Sequence, residues 1–152
     1  MTIVNDNEFK AALNALPPDQ QRMVAARFAE NVLSVSQDPR VTSALQAAKR
    51  ADITEPELAA AFHAARSASV ASYTSCSKEA DRQHQASHFV AKAALNSVMP
   101  AAHGANRAWE AALNARMARA IASGVASDNS ETQQQYRILS GFLTVMANRL
   151  PG

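Results

Sequence analysis

Hydrophobic residues recur every three or four positions along most of this chain, which is the period of an amphipathic helix. One apolar stripe is formed by Val24, Phe28, Val32 and Val35. The sixth predicted helix carries Trp109, Leu113, Met117 and Ile121 at a spacing of four residues, and the most hydrophobic stripe comprises Ile138, Leu139, Phe142, Val145 and Met146. Long alanine-rich stretches between these positions also favour helix. The pattern therefore predicts helices along nearly the whole chain.

Prolines and capping residues mark the boundaries between the predicted helices. The proline pair at residues 17–18 ends the first helix and opens the second, since a proline in a first turn loses no hydrogen bond. Asp38 before Pro39 is typical of a capped helix start, and either Asp52 or Thr54 caps the next helix. These boundaries predict six or seven helices.

The fourth predicted helix, roughly residues 55–76, has two contrasting sides. The bulky side carries Leu58, Phe62, Val70 and Tyr73. The small side carries Ala60, Ala64, Ser67, Ala68, Ala71 and Ser75. Because solvent-exposed helix faces usually carry charges, we expect the small side to pack closely against a neighbouring helix.

Composition agrees with a compact helical fold. The chain has 152 residues, 47% of them hydrophobic and 18% charged, which is typical of one globular domain. Its four glycines leave few positions for the tight turns of an all-β protein. We therefore expect an all-α, single-domain bundle over residues 1–152, with its helices packed through Ala/Ser-rich faces.

Charge and hydropathy indicate where in the cell the protein is located and which classes of partner it binds. The N-terminal stretch MTIVNDNEFK lacks the basic and apolar regions of a signal peptide, and no stretch has the roughly 20 apolar residues of a membrane span. We expect a cytoplasmic protein without membrane contact. The net charge is only +2, and a helix-turn-helix alignment of residues 44–62 puts Glu55 and Glu57 where a recognition helix meets DNA. Nucleic-acid binding is therefore an unfavoured alternative.

Residues 79–89, EADRQHQASHF, contain the spacing most suggestive of a metal site. Asp81, His84 and His88 lie three and then four residues apart, so one helix can present all three. Gln85 stands where a zinc protease has its catalytic glutamate, which excludes that hydrolase motif. On a helical wheel the polar residues Asp81, Gln85, His88, Lys92 and Asn96 share one stripe. We favour a solvated or groove-lining polar stripe and keep the metal site as the alternative.

His63 has a different setting, on the border between the two sides of the fourth helix. We expect it to be partly buried and hydrogen-bonded to a neighbouring helix, and the alternative is a small pocket flanked by Phe62, Arg66 and Tyr73. The chain contains neither a nucleophile elbow nor a phosphate-binding glycine loop. The sequence therefore predicts a protein that is not an enzyme and needs no cofactor.

Three motifs in the middle of the chain are similar to a known family. They are DPR at residues 38–40, AFHAAR at residues 61–66 and ASHFVAKAAL at residues 86–95. Together they resemble the fifth numbered family of alanine-rich, all-helical immunity proteins of bacterial polymorphic-toxin systems. The resemblance covers roughly residues 27–100, with residues 1–26 and 101–152 forming additional helices.

The resemblance implies a small cytoplasmic protein that binds and neutralises a cognate toxin by protein–protein contact. The matched family positions Asp38, Arg40, His63 and His88 become candidates for a polar binding patch, with Arg66 and Asp81 beside them. For Asp38 and Arg40, helix capping is the competing interpretation. A metal- or small-ligand-binding bundle using His63, His84 and His88 is the alternative function. The C-terminal apolar stripe is a candidate homodimer seam.

Overall fold

A computed structural model describes residues 2–79, 82–100, 106–125 and 127–149. These residues form α1 (Asp6–Asn14), α2 (Pro18–Glu30), α3 (Pro39–Ala48), α4 (Glu55–Glu79), α5 (Arg82–Val98), α6 (Arg107–Ser123) and α7 (Ser130–Arg149), with a 3-10 turn at Leu33–Val35. The predicted all-α bundle is confirmed. Asp81 and residues 101–105 lie outside the described residues. No helix in the described ranges combines the length and apolar character needed to cross a bilayer.

Local capping interactions fix most helix starts. The side chains of Asn5 and Asp38 accept hydrogen bonds from the backbone N–H groups of Glu8 and Arg40, both at 2.9 Å. Thr54 and Glu57 form a reciprocal capping box at the start of α4. The predicted caps at Asp38 and Thr54 are therefore confirmed. Because each of these contacts spans only two or three residues, the sequence pattern was sufficient to find them.

The helices enclose two apolar clusters. The helix α5 packs most extensively against α6 and α4, while α2 crosses both α5 and α6. The first cluster, among α2 to α6, consists mainly of alanine and valine. The second, among α1, α2, α6 and α7, contains the aromatic residues Phe9, Phe28 and Tyr136, with the half-buried Trp109 against it. Phe9 is the centre of this cluster, with ring centroids 5.4 to 6.0 Å from the other three.

Alanine lines the buried side of α6. All of its buried residues are alanines, namely Ala108, Ala111, Ala112, Ala115 and Ala118. On the same helix Leu113 and Met117 are 39% and 48% exposed. The facing helix α5 buries Ala86, Ala91, Ala93 and Ala94. Side chains of this size let two helices approach closely, so the predicted packing through alanine-rich faces is found between α5 and α6.

The predicted orientation of α4 was wrong. The positions expected to pack against a neighbour are mostly at the surface: Ala60, Ser67 and Ala71 are exposed, and Ala68 is buried. The buried stripe instead runs through Ala61, Ala65 and Ala68, with Leu58 and Phe62 half-buried beside it. Alanine occurs on every side of this helix, so side-chain size does not single out the face that contacts α3 and α5.

Candidate functional site

The predicted site residues are distributed over three surfaces. His63 and Arg66 lie on the outer face of α4. Asp38, Arg40 and His84 line a groove between the start of α3 and the start of α5. His88 lies half-buried between α4 and α5.

The outer face of α4 is defined here by His63, Arg66, Ser67, Val70 and Tyr73. Val70 and Tyr73 are 59% and 65% exposed, which is high for large apolar side chains. His63 is exposed, so the prediction that it is partly buried and bonded to a neighbouring helix was wrong. The reason is that the buried stripe of α4 runs through Ala61 and Ala65, one residue after the predicted positions Ala60 and Ala64. The His63 ring contacts Phe62 of its own helix, with centroids 5.7 Å apart.

This outer face is almost free of charge. Arg66 is the only Lys, Arg, Asp or Glu in residues 59–73. A helix face that is only solvated normally carries several charges, which keep it soluble. An exposed helix face of small and apolar residues is instead typical of a surface that contacts another protein.

The groove that contains Asp38 and Arg40 is lined mainly by polar side chains. The Asp38 carboxylate accepts hydrogen bonds from the Arg40 guanidinium at 2.7 to 3.2 Å, in addition to capping α3. The hydrogen bonds from Arg40 hold the pKa of Asp38 below its usual value. The charges of these two residues therefore neutralise each other, and capping accounts for the DPR motif. Gln83 closes the groove by donating a hydrogen bond to the Val35 carbonyl at 2.8 Å.

His88 contributes to the contact between α4 and α5. Its Nδ1 lies 2.9 Å from the Ser72 hydroxyl, and the rings of Tyr73 and Phe89 are each 5.7 Å away. The expected polar stripe is thus only partly at the surface, since Gln85 is exposed whereas His88, Lys92 and Asn96 are half-buried. A serine on α4 supplies the polar partner that allows a histidine at this interface.

The structure does not bring His63 and His88 together. His88 contacts Ser72, which lies nine residues after His63 and so about 13 Å further along α4. His84 is exposed and lines the groove beside Asp38 instead. Among the described residues no three His, Cys, Asp or Glu side chains are grouped so as to hold a metal ion. Because Asp81 is outside those residues, the set Asp81, His84 and His88 stays a prediction.

The position of His88 predicts a pH dependence of stability. Burial, followed by the nearby Lys92 charge, lowers the pKa of His88. The unfolded chain therefore takes up this proton at higher pH than the folded one, so the stabilisation is complete above about pH 6.5 and is lost as pH falls through the folded pKa. We expect the free energy of unfolding to fall as the pH is lowered below about 6.5. Urea titrations at several pH values should give a smaller fall in His88→Gln, and equal falls in both proteins would contradict the prediction.

Another groove was not anticipated from the sequence. It lies between α2 and α7, has a volume of about 540 Å³, and its apolar lining is formed by Met23, Ile138, Gly141, Phe142, Val145 and Met146. Arg27 on α2 and Arg137 on α7 lie at its rim. The apolar stripe of α7 was visible in the sequence, but its pairing with Arg27 depends on a contact between distant segments.

The predicted homodimer stripe on α7 is divided between the core and this groove. Leu139 and Phe142 are buried in the aromatic cluster of the chain's own core. Ile138 and Met146 are half-buried, and Val145 is 46% exposed. The part of the stripe that faces outward is thus limited to one wall of the groove.

Comparisons with protein-family models, with curated proteins and with solved structures each find no match to this chain. The resemblance to immunity proteins therefore stays a prediction based on the three sequence motifs.

Proposed function

We propose that this protein is a non-enzymatic, immunity-type protein that neutralises a cognate bacterial toxin by direct protein–protein contact. The observation that carries the proposal is the exposed, nearly uncharged outer face of α4. His63 and Arg66, which belong to the family-like AFHAAR motif, lie on this face. The resemblance and the exposed surface thus point to the same helix.

The chemistry of the outer face suits a protein partner. Tyrosine and arginine are enriched among the residues that contribute most to protein–protein binding, and this face presents Tyr73 and Arg66. The small residue Ser67 on the same outer face allows the partner to approach the helix backbone closely. The matching toxin surface would be mainly apolar, with one acidic group for Arg66.

The charge of the chain also indicates which kind of toxin surface it would bind. Inhibitors of nucleases commonly present acidic surfaces to a basic cleft, because opposite charges speed association. This chain carries a net charge of +2, and its proposed contact face has no acidic residue. We therefore favour a toxin whose recognised surface is not strongly basic.

Substitutions on the outer face test this proposal. Tyr73→Ala removes an exposed aromatic anchor and should weaken toxin binding by about 2 kcal/mol, or about 30-fold in Kd. Ser67→Glu introduces an unpaired charge into the contact and should abolish protection of cells that express the toxin. The measurements are co-purification with the product of the neighbouring toxin gene, and survival of cells that carry both genes.

Ala147→Glu on α7 is the matched control, because it also adds one glutamate at an exposed helical position. This variant should bind and protect as well as the unchanged protein. A protein that neither binds nor protects against the neighbouring gene product would rule out the immunity function. If Tyr73→Ala and Ser67→Glu both still protect cells, the toxin binds another surface of the protein.

A further inference from the structure

The groove between α2 and α7 has two properties that the outer face of α4 lacks. It is concave, with about 540 Å³ of space above an apolar floor, and its rim is basic. The two surfaces also belong to different parts of the bundle. The helix α4 packs against α3 and α5, whereas α7 packs against α2 and α6.

The positive charge at this rim is not neutralised within the described part of the chain. Arg27 and Arg137 are exposed, and neither side chain donates a hydrogen bond or forms an ion pair with another described residue. By contrast, Lys49 in the same groove is paired with Glu30. Two arginines are therefore available to an acidic ligand, one on each wall of the groove.

We propose that this groove binds an amphipathic helix whose apolar stripe is flanked by acidic residues. The apolar side chains of such a helix would lie against Ile138, Phe142 and Met146, as in other helix-in-groove complexes. Its carboxylates would pair with Arg27 and Arg137, and arginine holds a carboxylate with two parallel hydrogen bonds. This site is independent of the immunity function and does not rest on it.

Gly141 lies beside open space in the groove. It lies in the middle of α7 and lines the groove, and a Cβ atom added there would have no neighbouring atom within 4 Å. A glycine inside a helix is destabilising relative to alanine. The open space at Gly141 therefore accepts a methyl group, and only a much larger side chain would fill the groove.

Two other occupants fit the groove less well. In a two-fold homodimer the same patch faces itself, so Arg27 and Arg137 of both copies would lie in one interface and repel each other. A small amphipathic anion is usually held with 70–90% of its surface buried. Here Arg27, Arg137 and Val145 are all exposed, so the groove is open on one side, which suits a helix that keeps its outer face in water.

The test uses the full chain and two fluorescent peptides of about 15 residues, long enough for four helical turns. Both peptides carry a leucine stripe, flanked by glutamates in one and by lysines in the other. Fluorescence anisotropy should give a Kd at least about tenfold lower for the glutamate peptide. The double substitution Arg27→Glu with Arg137→Glu should reverse this preference, because it inverts the charge of the rim. Both side chains are exposed, so the fold should stay intact.

Gly141 supplies a steric test with its own control. Gly141→Trp should fill the groove and abolish binding of the glutamate peptide, whereas Gly141→Ala should leave it unchanged. Equal binding of the two peptides, or no binding of either, would overturn the proposal. A dimer in sedimentation that Gly141→Trp dissociates would assign the groove to a second copy instead. Binding of dodecanoate without binding of either peptide would assign it to a small amphipathic anion.

Discussion

Replacing Arg119 with alanine is expected to lower the free energy of unfolding by about 3 kcal/mol, because it removes the cation from a buried ion pair. The Glu131 side chain is only 1% exposed, and Arg119 Nε lies 3.2 Å from its Oε1. Arg119 also donates to the Asn31 carbonyl at 3.2 Å, next to the end of α2. The variant would leave a carboxylate inside the protein with Asn31 as its remaining donor, at 2.7 Å.

Urea denaturation of the single and double variants measures this effect. In Arg119→Met with Glu131→Leu, both charges are replaced by apolar groups of similar size, so no buried charge is left unpaired. We expect this double variant to be more stable than Arg119→Ala. At about 2–4 °C per kcal/mol for a chain of this length, Arg119→Ala should lower the Tm by about 6–12 °C. A loss below about 1 kcal/mol would instead indicate a solvated pair of the ordinary surface kind.

The ion pair between Arg119 and Glu131 was not predictable from the sequence, whereas the helix starts were. The caps at Asp38 and Thr54 depend on residues two or three positions apart, so local chemistry determines them. Arg119 and Glu131 lie on different helices, 12 residues apart, and Asn31, which also bonds to Glu131, lies 100 positions away. Polar partners at this separation are defined only after the helices have packed.

The candidate site was predictable to a similar extent. The sequence identified the capping role of Asp38 and Arg40, because both residues lie within one turn. It did not give the separation of His63 from His88, which depends on how α4 and α5 align. It also missed Arg27 and Arg137, because a groove rim is formed by two helices that are distant along the chain.

The core itself was the hardest part to predict, because alanine occupies positions that larger apolar residues usually fill. On α6, Leu113 and Met117 of the predicted stripe are exposed, and the residues that are buried are all alanines. Hydrophobic periodicity detects a helix correctly in such a chain. It assigns the buried face by residue size, and size is misleading when close helix packing selects alanine.

Ala115→Leu is therefore expected to lower the free energy of unfolding by about 3 kcal/mol, at the upper end for overpacked cores. Ala115 has no exposed surface and belongs to the alanine and valine cluster. Three added carbon atoms would have to be accommodated between α6 and its neighbours, which forces the helices apart. Thermal and urea denaturation of the purified variant measure the loss.

Met117→Ala on the same helix is the control, and it should change stability by less than about 1 kcal/mol because Met117 is 48% exposed. The two substitutions thus test whether the buried face of α6 is formed by its large apolar residues or by its alanines. If the large apolar residues formed the core, deleting the methionine side chain would cost about 2–5 kcal/mol and enlarging the alanine would cost little. With alanine in the core the order is reversed, so the relative stability of the two variants decides which face of α6 is buried.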